Sequence, residues 1–259
     1  MAVSDILKNA YNLVKNNFRE SLLIGLIFWS AVLIIEGFFI VTGLVTLEQL
    51  SIGTSPMISV MSIFLSFVLA MLSGGVYYSI NLMRDKKIKL SNIRKGIDTR
   101  WADIFKAFIV IQFIAAIVGS MINILMDNYM LTSTSVSVFV YSLFFVIALS
   151  VQLSLIFSIP IVAATKVDGF SAVKKSVKFF TGNVSLVAGA ILSVFVIFFS
   201  VMLVILGITG IAGYLAEISI YLSIPFLLAI AVLMFFVLFL AFPFMSFVIV
   251  GVYKEGTKK

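Results

Sequence analysis

The chain has 259 residues, 62% of them hydrophobic and only 11% charged, with a net charge of +7. Soluble domains carry about 25% charged residues, so a soluble surface is excluded and the sequence reads as an all-α polytopic membrane protein. The absence of Cys and His removes disulfides, thiolate chemistry, the commonest general base and the commonest metal ligand.

In chain order, residues 5–17, DILKNAYNLVKNN, open the sequence with an apolar stripe at helical spacing (Leu7, Tyr11, Val14, Phe18) and with Lys8 and Lys15 among its polar positions. A spanning helix needs about 20 apolar residues, and the first candidate covers 21–44. The polar start and the length of this run do not read as a cleavable signal peptide. Glu36 is the one acidic residue inside a predicted span. It lies about 21–24 Å from the inner end at 1.5 Å rise per residue. A charge there costs about 2.5–3.5 kcal/mol on insertion scales, so Glu36 needs water, a proton or hydrogen-bond donors. The reading is open between a helix-to-helix polar bond and a functional proton site.

The second span, 56–83, carries the small-residue pairs Ala70–Gly74 and Gly75–Ser79, which suit close helix contact. The basic segment that follows includes SNIRKGIDTRWAD (91–103), with Arg94 and Lys95 and the stripe Ile93, Ile97, Trp101, Ile104. The third span, 104–126, holds Gln112 and Asn123; Asn123 is a possible partner for Glu36. The fourth, 136–165, holds Gln152, read with Gln112 as interhelical packing. SAVKKSVKFFTGN (171–183) then brings Lys174, Lys175 and Lys178 beside the stripe Val173, Val177, Phe180. The fifth span is 184–211 and the sixth 221–252. Pro160 and Pro243 fall near the inner ends of the fourth and sixth and predict kinks. Gly207, Gly210 and Gly213 lack the dinucleotide spacing and any preceding strand, so close packing or helix fraying is expected there.

All 18 Lys and Arg fall in the two termini and the two alternate connections, while the other three connections carry Glu48, Asp127 and Glu217. The positive-inside rule puts both termini in the cytoplasm. The three basic segments align in one frame: Lys8, Arg94 and Lys174 stand fourth, and Asn17, Asp103 and Asn183 stand last. The expected architecture is therefore a single transmembrane domain, 1–259, of three hairpins. Each is preceded by a cytoplasmic interfacial amphipathic helix. The repeats cover about 1–87, 88–167 and 168–259, related by a pseudo-three-fold axis along the membrane normal.

The pattern apolar–Lys174–Lys175–Ser176, an apolar pair, then Gly182–Asn183 at the mouth of a span, with Pro160 and TKVDGFS (165–171), resembles the YciC-like proteins. It also resembles the membrane domain found beside some glycerophosphodiester phosphodiesterases. Val184 stands where that pattern often has an aromatic residue. The resemblance implies a six-helix protein with an envelope or lipid role and, the soluble domain being absent, no phosphodiesterase activity.

No cofactor, metal site or catalytic constellation is expected, and nucleic acid is not an expected partner. Two readings remain. One is a lipid-engaging protein of envelope maintenance, or an accessory subunit with a protein partner in the membrane, that meets headgroups through Lys8, Lys15, Arg94, Lys95, Lys174, Lys175 and Lys178. The other is a small-solute transporter or channel, with a central cavity lined by Glu36, Asn123, Gln112 and Gln152.

Overall fold

The computed structural model describes residues 3–45, 56–83, 87–129 and 134–258, with side chains for all of these but 122, 123, 125–129 and 134–141. Among the described residues the chain is helical, without strands. The helices are α1 (Val3–Asn16), α2 (Phe18–Val41), α3 (Pro56–Asn81), α4 (Leu90–Tyr129), α5 (Thr134–Leu155), α6 (Ser158–Ala164), α7 (Gly169–Gly182), α8 (Val184–Ile218) and α9 (Ile220–Gly256). Six helical stretches are long and apolar enough to cross a membrane, which makes this a multi-pass membrane protein. Glu48 lies outside the described residues.

The helices gather into two compact units. One comprises Met1–Met61, Met83–Ile88 and Ala188–Val252; the other comprises Ser62–Leu82, Lys89–Val187 and Tyr253–Lys259.

In the first unit, small residues set the approach distances. A Cβ on Gly25 of α2 would strike the Phe239 backbone of α9, and one on Gly251 would come to 3.0 Å from Ile6 of α1. Phe28 stacks on Phe242 with ring centroids 4.2 Å apart, and the Trp29 indole N–H donates to the Leu238 carbonyl at 2.8 Å. α2 stops at Gly43, whose φ of 71° is a left-handed conformation favoured by glycine.

In the second unit, α7 packs on α4, α5 and α6. On α3, Gly75 of the Gly75–Ser79 pair lies close to the next helix, where a Cβ would sit 2.6 Å from the Ile93 carbonyl oxygen, and on α4 a Cβ on Gly96 would sit 2.6 Å from Tyr78 Cβ. The Ser79 hydroxyl donates to the Lys89 carbonyl at 3.0 Å. The fourth predicted span is interrupted, with α5 ending at Leu155 and α6 starting at Ser158. Pro160 has no N–H for the Ile156 carbonyl and crowds it, so the ladder fails one turn upstream. Pro243, by contrast, lies inside an uninterrupted α9. The glycines of GITGIAG also stay inside a helix, since α8 runs to Ile218. Among the described residues a Cβ at any of the three would meet nothing within 4 Å. Neither fraying nor close packing accounts for them.

The largest departure from expectation concerns the middle basic segment. It is not set off from its span: α4 is one helix of 40 residues, about 60 Å long against a hydrocarbon core of about 30 Å. The other two segments end in breaks of matching geometry. Asn17 has φ −122° and ψ 39°, and Asn183 has φ −137° and ψ 31°. In each, the side-chain amide donates four residues back, to Leu13 O at 2.9 Å and to Phe179 O at 3.0 Å. At Asn183 that bond satisfies the Phe179 carbonyl, which the Asn183 backbone N–H misses by turning to Phe180 O; at Asn17 it is a second bond to a Leu13 carbonyl that the Asn17 backbone N–H also reaches, at 3.0 Å. At the same place in the middle frame, Asp103 has no N–H to offer.

Candidate functional site

The stripes read from the sequence lie about one residue away from the faces that are buried. On α1 the buried positions are Ile6, Ala10 and Val14, while Tyr11 is 60% and Phe18 44% exposed. On α7 they are Gly169, Ala172, Val173, Ser176 and Phe179, while Phe170 is 60% and Val177 39% exposed. At the start of α4, Gly96 and Ile104 are buried, and Trp101 is 54% exposed. The physical reason is size. Gly, Ala and Ser let helices approach closely, so they take much of the inward face, and Tyr11, Trp101 and Phe170 are left outside while Phe179 is buried.

α7 shows how this arrangement is held. Asp168 caps it, accepting the N–H groups of Phe170 and Ser171 at 3.1 and 3.2 Å. The Ser171 hydroxyl, then its amide and that of Phe170, hold the Asp168 carboxyl below the usual carboxylate value. Gly169 leaves no room for a Cβ against the Asp103 and Ala107 backbone, and the Ser176 hydroxyl donates to the Ser154 carbonyl at 2.6 Å. Phe179 meets Phe157 and Tyr253 with ring centroids 4.7 and 5.1 Å away. With that face fixed, Lys174, Lys175 and Lys178 are exposed. Phe170, Lys174, Val177 and Lys178 fall on one side of the helix at spacings of four, three and one. Sequence reasoning missed Phe170; its spacing of four from Lys174 and seven from Val177 was the available signal.

Of the seven basic residues expected to meet headgroups, Arg94 is the exception. It pairs with Asp98 at 3.7 Å, both side chains being largely exposed. Lys8, Lys15, Lys95, Lys174, Lys175 and Lys178 are exposed and have no carboxylate within 4 Å among the described residues. Asp103 is shared by Arg100 at 3.9 Å and Lys106 at 3.8 Å.

Two grooves accompany these helices. In the first unit a groove of about 480 Å³ runs between α1, α8 and α9, walled by Phe198, Phe236, Leu240 and Phe244, with Lys8 and Tyr11 on its α1 side. In the second unit a groove of about 450 Å³ lies between α4 and α5 and is lined by Gln112 and Gln152, with Ala115, Gly119, Ala148 and Ile156. The two glutamines are thus brought to one groove, yet no hydrogen bond joins them among the described residues. Glu36 is half-buried on α2 and lines neither groove. The side chain of Asn123 lies outside those described. No group of three His, Cys, Asp or Glu residues able to hold a metal occurs among the described residues.

Comparison with known proteins finds no matching family model, no matching curated protein and no matching solved structure.

Proposed function

We propose that the chain is a lipid-engaging integral membrane protein of a prokaryotic cell membrane, with both termini cytoplasmic, serving envelope maintenance or a partner protein as an accessory subunit. The carrying observation is the outer face of α7. Three lysines without a carboxylate partner among the described residues stand beside exposed Phe170 and Val177. A helix that offers cations and aromatic or aliphatic side chains along one side matches the headgroup boundary, where apolar groups enter the acyl region and cations meet phosphate. Tyr11 stands three and four residues from Lys8 and Lys15 on α1, and Trp101 follows Arg94 by seven on α4. The matching breaks at Asn17 and Asn183 support reading these segments as repeated units, in line with the YciC-like resemblance.

Each basic residue near an anionic surface contributes about 1 kcal/mol. Replacing Lys174, Lys175 and Lys178 by Gln is expected to weaken retention of anionic lipid by about 100-fold, measured as lipid copurified and exchanged in nanodiscs. Unchanged retention would overturn the reading.

A second reading, a small-solute transporter or channel, is favoured only by the Gln112–Gln152 groove. Gln152→Leu is then expected to abolish solute flux into proteoliposomes; absence of flux from the unaltered protein removes this reading.

A further inference from the structure

We propose that the groove between α1, α8 and α9 seats one acyl chain of an anionic phospholipid whose phosphate lies over Lys8. This rests on the lipid-engaging reading and names a specific seat for it.

The lining is almost wholly carbon, and Lys8, on its α1 side, is the one charged residue that contributes to it. The volume, about 480 Å³, is within the range of about 300–1,000 Å³ usual for ligand sites. Its walls are braced before any ligand arrives. Phe198 meets Phe244 edge-on at 6.3 Å, and Phe236 meets Phe18 at 6.2 Å. Along α9 the lining extends from Phe236 to Phe244, about 12 Å of helix at 1.5 Å per residue. An apolar trough with a cation at one side selects an amphiphile with an anionic head and an apolar tail. Lys8 has no carboxylate within 4 Å among the described residues, so its charge is available to a phosphate. Tyr11, one turn further along α1 and exposed, adds a hydroxyl on the same side. A free phosphate would leave the carbon walls unused, and a neutral lipid would leave Lys8 unmatched. The Gln112–Gln152 groove has no ionic group in its lining and carries no such preference.

The test uses the full chain in nanodiscs of phosphatidylglycerol or phosphatidylcholine, followed by delipidation and native mass spectrometry. The unaltered protein is expected to keep one phosphatidylglycerol preferentially. Lys8→Gln should reduce that preference about five-fold, and Lys8→Glu should abolish it. Ala241→Trp, which fills the groove, should displace the bound lipid whatever its headgroup. Lys8→Glu alters an exposed side chain and so keeps the test valid should the tryptophan variant not fold. If both Lys8 variants retain lipid as before while the triple α7 variant loses it, the seat is overturned and the lipid-engaging reading stands. If the triple variant also retains it, both fall. Equal retention of phosphatidylcholine overturns the choice of an anionic headgroup. A photo-crosslinker at Val237 that captures a second copy of the chain instead of lipid overturns the choice of occupant.

Discussion

The two joins at Asn17 and Asn183 and the unbroken stretch at Asp103 occupy the same place in three aligned segments, yet only the first two interrupt the helix. An interrupted ladder leaves a carbonyl open, and near a membrane such a group is costly unless something donates to it. At Asn183 the side chain supplies the donor that the Phe179 carbonyl lacks, and at Asn17 it adds a second donor to the Leu13 carbonyl; a carboxylate can do neither. Asp103 instead forms long ion pairs with Arg100 and Lys106, and α7 is seated against its backbone at Gly169. A difference of one functional group, NH₂ against O⁻, thus coincides with the difference between a jointed and a continuous helix.

The two joins are not equal, and the largest predicted effect separates them. Asn17 is 2% exposed, and its Oδ1 also accepts the buried N–H of Ile88 at 2.8 Å. Asn17→Ala would leave both that N–H and the Leu13 carbonyl without their side-chain partner. A buried donor left unsatisfied costs about 1–3 kcal/mol, so the upper part of that range is expected as a loss of thermal stability in detergent. A loss no greater than that of the matching change at 183 would make the Ile88 bond irrelevant. Asn183→Ala removes one bond at a half-exposed position, and about 1 kcal/mol is expected.

Much of this was legible in the residues. Six apolar runs gave six spans because length and hydropathy alone decide them. The frame that aligned Asn17, Asp103 and Asn183 was also visible, but not what each does. Gly169 docks on the α4 backbone where that helix stays continuous, a contact between residues far apart in sequence. The apolar stripes of α1 and α7 do not show which positions pack inward. In the fold Ala10, Ala172 and Ser176 do so, and Tyr11 and Phe170 face outward. Pro160 and Pro243 looked equivalent, and only one interrupts its helix. The grooves could not be read at all, since each is walled by helices whose pairing no local pattern records.

A smaller effect distinguishes the start of α7 from that of α1. The Asp168 carboxyl is held below its usual value by bonds to Ser171 and Phe170. A group whose folded value is depressed stabilises the fold above its unfolded value, and that contribution fades as pH falls through the folded one. Protection of the Phe170 and Ser171 amides, taken relative to their intrinsic exchange rate at each pH, is therefore expected to fall as the solution is acidified below the usual carboxylate range. In Asp168→Asn, which caps without titrating, that loss of protection should vanish. Persistence of it in the Asn variant would assign the change to another group.

The smallest effect bears on whether the carboxylate or the packing keeps α4 whole. Asp103→Asn gives the middle segment the residue found at both joins. It removes ion pairs with Arg100 and Lys106 that are long, at 3.9 and 3.8 Å, and partly exposed; such pairs contribute about 0–1 kcal/mol. Ile104 and Ala107 are fully buried, and Gly169 closes on the same turn. An amide at 103 would gain a donor, but opening the helix would lift that turn out of its seat. The expected result is a stability change below about 0.5 kcal/mol and unaltered amide exchange from Asp103 to Ala107. Faster exchange confined to those residues would show that the missing N–H alone had kept the helix unbroken, and the docking of α7 would then be a consequence of that continuity.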